Sequence, residues 1–243
     1  MSTGQPLRSA VVFGARNLGR AVIELLTANG WGVVGVARSQ ATLDRVAQVG
    51  AVALEGDVTD RASVHNVLER AAAAHGRVDL VVNAAAPYGG DRSGPFGGGP
   101  LSEAPADAFE HWAAAPARAA FTFLSTAGAF LLAQGGPATM IQVTGGSARR
   151  AMPGRGLWAA GSFGVRALTN AAALELREHG IHVALLIVDA GIEPMDGARP
   201  GQATDALADP RALAESVEFL AEQGARGATH ELQVTPLGER WVP

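Results

Sequence analysis

Short apolar runs alternate with stretches of helical periodicity along most of this chain. The run 9–14 is apolar and ends in Gly14, which predicts a buried strand. Leu18, Val22, Leu25 and Leu26 then fall on one helical face, with Gly30 just past its end. The same alternation predicts strands at 31–37, 51–54 and 79–83, separated by helices at 40–49 and 61–74. A Gly/Pro-rich loop, 86–100, is long for a strand-to-helix connection and contains Tyr88. Beyond it the pattern predicts a helix over 102–133, a strand at 138–144, a helix at 157–179 and a strand at 181–189. The polar stretch 193–209 reads as a flexible segment, followed by a helix at 210–223 and a last strand at 230–235. Repeated strand–helix units with short connections imply an α/β, doubly wound parallel sheet of seven strands. No composition break divides residues 1–243, which reads as one domain.

Composition narrows the chemistry by exclusion. Of 243 residues, 48% are hydrophobic and 17% charged, which argues for a packed core. Net charge is −4, so no nucleic-acid partner is expected. The chain has no cysteine, which removes thiolate catalysis, disulfides and thiolate metal sites. It also has no lysine: all 19 residues of the Lys+Arg total are arginine, and Tyr88 is the single tyrosine. Schiff bases, a phosphate-loop lysine and a lysine-activated tyrosine are thereby excluded. Six histidines without a carboxylate cluster form no metal-ligand pattern, so no metal is expected. No run of about 18 apolar residues and no signal-like start is present, so a cytoplasmic protein without a membrane partner is expected.

Gly14, Arg16, Asn17, Leu18 and Gly19 lie between the first strand and the first helix, where backbone N–H groups and the helix dipole attract a pyrophosphate. Asp57-Val58 follows the third strand and Asn83-Ala84-Ala85 the fourth; Gly180-Ile-His-Val183 follows the long helix 157–179. Val188-Asp189-Ala190-Gly191 spans the end of the sixth strand, ahead of Ile192. With these elements the chain resembles the short-chain dehydrogenase/reductase (SDR) family over nearly its whole length. The resemblance implies a Rossmann-like sheet of order 3-2-1-4-5-6-7, a small-molecule substrate, and a homodimer or homotetramer built through the fourth and fifth helices. It also implies dinucleotide contacts from Gly14, Arg16, Asn17, Leu18, Gly19, Asp57, Val58, Asn83, Ala84, Ala85, Gly191 and Ile192. The glycine loop is six residues rather than seven and lacks the middle glycine. Asn17 in a left-handed conformation is expected to supply that geometry, or else the turn is too tight for phosphate. The second strand ends Gly35-Val-Ala-Arg38 without a carboxylate, so Arg38 and Arg16 favour NADP(H) through its 2′-phosphate.

The positions that carry the family's proton relay differ. Trp158 aligns with its tyrosine, Ser162 with its lysine, Gly145 or Gly146 with its serine, and Pro116 with its helix asparagine. An indole does not titrate near neutrality, and a serine brings no charge to shift a neighbour. Pro116, read as mid-helix, frees a backbone carbonyl near Trp112. Candidate replacements are Tyr88 folded over the nicotinamide, Thr144 and Ser147 as hydrogen-bond partners of a carbonyl, and Asp189 as a buried acid. Each has a structural alternative: loop packing for Tyr88, capping for the hydroxyls, loop fixing for Asp189. Three functions stay open: an NADP(H)-dependent oxidoreductase on a carbonyl, alcohol or alkene; a non-redox isomerase, dehydratase or cyclase; or a cofactor-sensing or interaction protein.

Overall fold

The computed structural model describes residues 8–86, 94–197 and 204–239. Its main sheet has seven parallel strands: β1 (Ser9–Phe13), β2 (Gly32–Ala37), β3 (Val52–Glu55), β4 (Leu80–Asn83), β5 (Ala138–Gly145), β6 (Ile181–Val188) and, last in the chain, β9 (Glu231–Val234). Their order is β3-β2-β1-β4-β5-β6-β9, the doubly wound order expected. The central strands β2, β1, β4, β5 and β6 are largely apolar because a parallel sheet covered by helices is buried on both faces, whereas the edge strands β3 and β9 are partly exposed. Helices α1 (Leu18–Ala28), α2 (Gln40–Gln48) and α6 (Pro210–Ala221) pack on one face, around Leu26, Val46 and Leu213. Helices α3 (Arg61–His75), α4 (Ala115–Gln134) and α5 (Gly156–Leu176) cover the other, around Leu68, Phe123 and Leu176. The order reverses between β1 and β4, so their connections leave the sheet on opposite sides and open a crevice at the strands' C-terminal ends.

One sequence expectation is corrected. The helix expected from 102 starts later: residues 101–107 form turns, a π-helical turn spans Glu110–Ala114, and α4 follows directly. Pro116 lies inside this helical stretch, as expected: residues 108–134 are continuously helical, and the π turn comes immediately before the proline. Of the stretch 193–209, expected to be flexible, residues 198–203 lie outside the described residues; within the rest, Leu207–Ala208 (β8) pairs with Gly191–Ile192 (β7) in a second, two-stranded parallel sheet. The long loop after β4 holds a 3₁₀ turn, Phe96–Gly98, whose glycines lie against Arg155 and Leu157 at the start of α5. The helix Glu110–Gln134 is apolar enough to span a bilayer by length and composition, but half of that window is buried in the fold.

Candidate functional site

A cleft of about 680 Å³ runs along the C-terminal ends of β1, β2, β4, β5 and β6. Gly14, Arg16, Asn17, Leu18, Arg38, Asp57 and Val58 line its outer half. Asn83, Ala84 and Ala85 stand at its middle, and Thr144, Trp158, Ser162 and Ile192 at its inner half. Most of the residues singled out from sequence thus face one space, although they come from eight separate segments. Gly19, Ser147, Asp189 and Gly191 lie near it without lining it, and Tyr88 lies outside the described residues.

The outer half is built by close backbone approach. Gly14 has φ +87°, and a Cβ there would stand 2.4 Å from the Ala85 nitrogen. A Cβ on Gly19 would stand 2.4 Å from the Gly14 oxygen, so the turn closes only with glycine at both ends. Asn17 is not left-handed: its φ is −118°, and among the described residues every positive φ belongs to glycine. Its side chain has a different task. The Asn17 amide donates to the Glu193 carbonyl at 3.2 Å, and its Oδ1 accepts from the Met195 N–H at 2.9 Å. Arg20 and Arg45 both bond Asp196, at 2.9 and 3.2 Å, which ties the same strap to α1 and α2.

Asn17 places no side-chain cap on α1, and the first turn of α1 has no acidic residue. The first N–H groups of a helix have no partner within it, so donors and the positive dipole end face the cleft. This arrangement fits a pyrophosphate. At the cleft's outer wall Arg38, mostly exposed, lies 3.5 Å from Asp57. Burial disfavours the charged form of Asp57, but hydrogen bonds from the Thr59 N–H and hydroxyl, with Arg38 nearby, outweigh it. The net effect holds this carboxyl below its ordinary value. Asn83, fully buried, donates to Gln142 at 3.0 Å and accepts from the Ala85 N–H at 3.1 Å, fixing the turn against which Gly14 packs.

The inner half has little titratable chemistry. Trp158 packs against Phe96 and Trp112, with ring centroids 5.1 and 5.8 Å away, and Phe96 and Trp112 are 5.0 Å apart. The indole lies beside Gly145, with its Cζ2 3.7 Å from where a Cβ would stand, an ordinary contact distance. Ser162 is buried beside it on α5, and Thr144 ends β5. Asp189 does not present an acid to the cleft. Its two oxygens accept from Arg150 at 2.7 and 3.0 Å and from Gln233 at 3.2 Å, and its N–H donates to the Val234 carbonyl. Among the described residues, the donors to its carboxylate are side chains of Arg150 and Gln233, not the backbone N–H groups of the loop-fixing alternative. Gly146 is required there, since a Cβ would fall 1.8 Å from Asp189 Oδ1. Sequence reasoning missed Phe96 and Trp112, which meet at Trp158, and Arg150, which meets Asp189: each contact joins segments far apart in the chain. The aromatic content of the Gly/Pro-rich loop was the one available signal for Phe96.

Residues 8–192 match the sequence profile of the family described as short chain dehydrogenase. The short-chain dehydrogenase/reductase eriH of Hericium erinaceus is 28% identical over 244 residues, covering 90% of this chain and 92% of its own. The 3-oxoacyl-(acyl-carrier-protein) reductase FabG of Escherichia coli strain K12 is 44% identical over 79 residues, 30% of this chain and 32% of that one. Among solved structures, an alcohol dehydrogenase from the archaeon Thermococcus sibiricus, complexed with 5-hydroxy-NADP, superposes with a TM-score of 0.79. It is 22% identical, and the match covers 98% of this chain and 100% of that one. A metagenomic short-chain oxidoreductase in complex with NADP has a TM-score of 0.71 at 24% identity, over 94% of this chain and 96% of its own. At these identities the two structures share the fold.

Proposed function

The chain belongs to the short-chain dehydrogenase family, and from that premise we propose that it is an NADP(H)-dependent oxidoreductase of a small molecule, working without a tyrosine–lysine proton relay. The observation that carries this reading is the single cleft running from the open N-terminus of α1 to Trp158. Its ends divide the work. The α1 N–H groups and the Gly14 turn hold the pyrophosphate, and Arg16 and Arg38 supply guanidinium forks for a 2′-phosphate. The bound nicotinamide dinucleotide supplies or accepts a hydride. Thr144 and Ser162 hydrogen-bond the substrate, and Trp158 forms the wall that orients it; positioning of this kind lowers a barrier without a tuned acid. The NADP-bound fold neighbours support the choice of cofactor.

The test is a titration with NADPH and NADH, followed by Arg38→Ala. NADPH should bind at micromolar concentration, and the variant should weaken it by about ten- to a hundredfold, as loss of a hydrogen bond between charged groups predicts. NADH affinity should change little. Absence of binding by either nucleotide at millimolar concentration overturns the redox reading in favour of a non-redox or interaction role. As part of the same reading, the protein is cytoplasmic, and copies associate through the outward faces of α4 and α5.

A further inference from the structure

Hydride addition to a neutral carbonyl leaves an alkoxide, so a proton must arrive as the bond forms. The described part of the inner cleft lacks a group suited to deliver it. Trp158 donates a hydrogen bond but does not titrate, and Thr144 and Ser162 are hydroxyls without a described cation on the lining beside them. Asp189 is engaged by Arg150 and Gln233. The charged residues on the described lining, Arg16, Arg38 and Asp57, all stand at the nucleotide end. What the inner end has is aromatic surface: Trp158 on the lining, backed by Phe96 and Trp112. That cluster already takes a cation on its outer side, where the Arg155 guanidinium lies 5.4 Å over the Phe96 ring.

We propose that the substrate is a planar organic cation of the iminium class, held against Trp158; the proposal rests on the dinucleotide reading above. An iminium carbon is the acceptor that this set of residues suits. The hydride pair forms a new C–H bond at that carbon, and the C=N π pair moves onto nitrogen and cancels its charge. The reduced nicotinamide is oxidised in the same step, and no proton enters. Two of the four departures at the relay positions then share one purpose. Ser162 in place of a lysine removes a buried cation that would repel the substrate, and Trp158 in place of a tyrosine offers a stronger π face to attract it.

The test compares N-methyl-3,4-dihydroisoquinolinium, a permanent cation, with 1-tetralone, a neutral ketone of similar shape. NADPH binding is measured first. Binding of each probe is then followed by calorimetry, and NADPH oxidation separately. The cation should bind at least tenfold more tightly than the ketone, and it alone should be reduced, at a rate flat between pH 6 and 9. Trp158→Leu should weaken the cation by about two- to thirtyfold, the range of a cation–π contact, while NADPH affinity stays constant as the check on folding. Trp158→Phe should restore part of that loss. Equal or tighter binding of the ketone, its reduction at a comparable rate, an acid-dependent rate for the cation, or no binding of the cation by NADPH-competent protein overturns the proposal. Failure of NADPH itself to bind overturns the dinucleotide reading and this inference with it.

Discussion

Glu231 shows how one β9 side chain ties the inner end of the sheet to α5. Its carboxylate receives Arg166 at 2.6 and 2.7 Å and Asn170 at 3.1 Å. The Arg166 hydrogen bonds are the largest influence on it, and they outweigh burial to hold the Glu231 carboxyl below its ordinary 4.5. A carboxyl depressed in the folded state takes up its proton more readily when unfolded. Its contribution to stability is therefore complete above about pH 4.5 and declines as pH falls through the lower folded value. Glu231→Gln should lower stability at neutral pH and flatten the loss between pH 5 and 3, as read from denaturant midpoints across that range. An acid limb of unchanged steepness would assign it to other carboxyls. Two residues nearer the strand's end, Gln233 reaches Asp189, so β9 reinforces both ion pairs around α5 and the β6 loop. The pairing of Arg150 with Asp189 was not legible in the sequence, because it joins residues 39 apart through strand register rather than helical spacing.

Among the elements, the junction before α4 carries a consequence of one proline. Pro116 has no N–H to offer the Trp112 carbonyl four residues earlier, and the chain takes a π turn there, with the Ala115 N–H reaching back to Glu110. The carbonyls of Trp112 and Ala113 then face the α5 backbone at Gly161. A Cβ at Gly161 would stand 2.6 and 2.9 Å from these two oxygens, both of them backbone and unable to swing away. Gly161→Ala should cost about 1–3 kcal/mol as overpacking, a melting-temperature fall of several degrees. It should also perturb near-ultraviolet circular dichroism, since Trp112 and Trp158 lie on the two elements forced apart. An unchanged melting temperature would show that α4 and α5 are free to separate there. The sequence placed Pro116 in a helix correctly but could not place the helix start. Residues 102–107 lie outside the helix, which starts at 108.

Taken as a whole, the molecule leaves apolar side chains on the outward faces of two packed helices: Phe121 on α4, Phe163 and Leu174 on α5. Leu174 is 67% exposed, more than a lone surface leucine in a mixed face would need, and its neighbours along α5 are largely alanine. Burial of these faces against a second copy is the expected use. Leu174→Glu should shift the protein toward monomer in sedimentation at micromolar concentration, with the circular dichroism spectrum unchanged. A wild-type protein already monomeric at that concentration would remove this reading.

The sequence by itself determined the strand–helix alternation and, from it, a parallel, doubly wound sheet, because periodicity and handed connections act over a few residues at a time. The strand order and the loops that meet at the cleft were what the family resemblance implied. The sequence also determined what the site lacks: a chain with no lysine cannot form a tyrosine–lysine relay. Only the tertiary structure decided what each side chain does there. It turned Asn17 from a turn-former into a clasp on residues 193–195, and it gave Asp189 to Arg150 rather than to the cleft. It also joined Phe96, Trp112 and Trp158 into one wall. Those outcomes depend on contacts between segments far apart in the chain, where hydrogen-bond direction and packing distance choose among partners that a linear reading leaves equivalent.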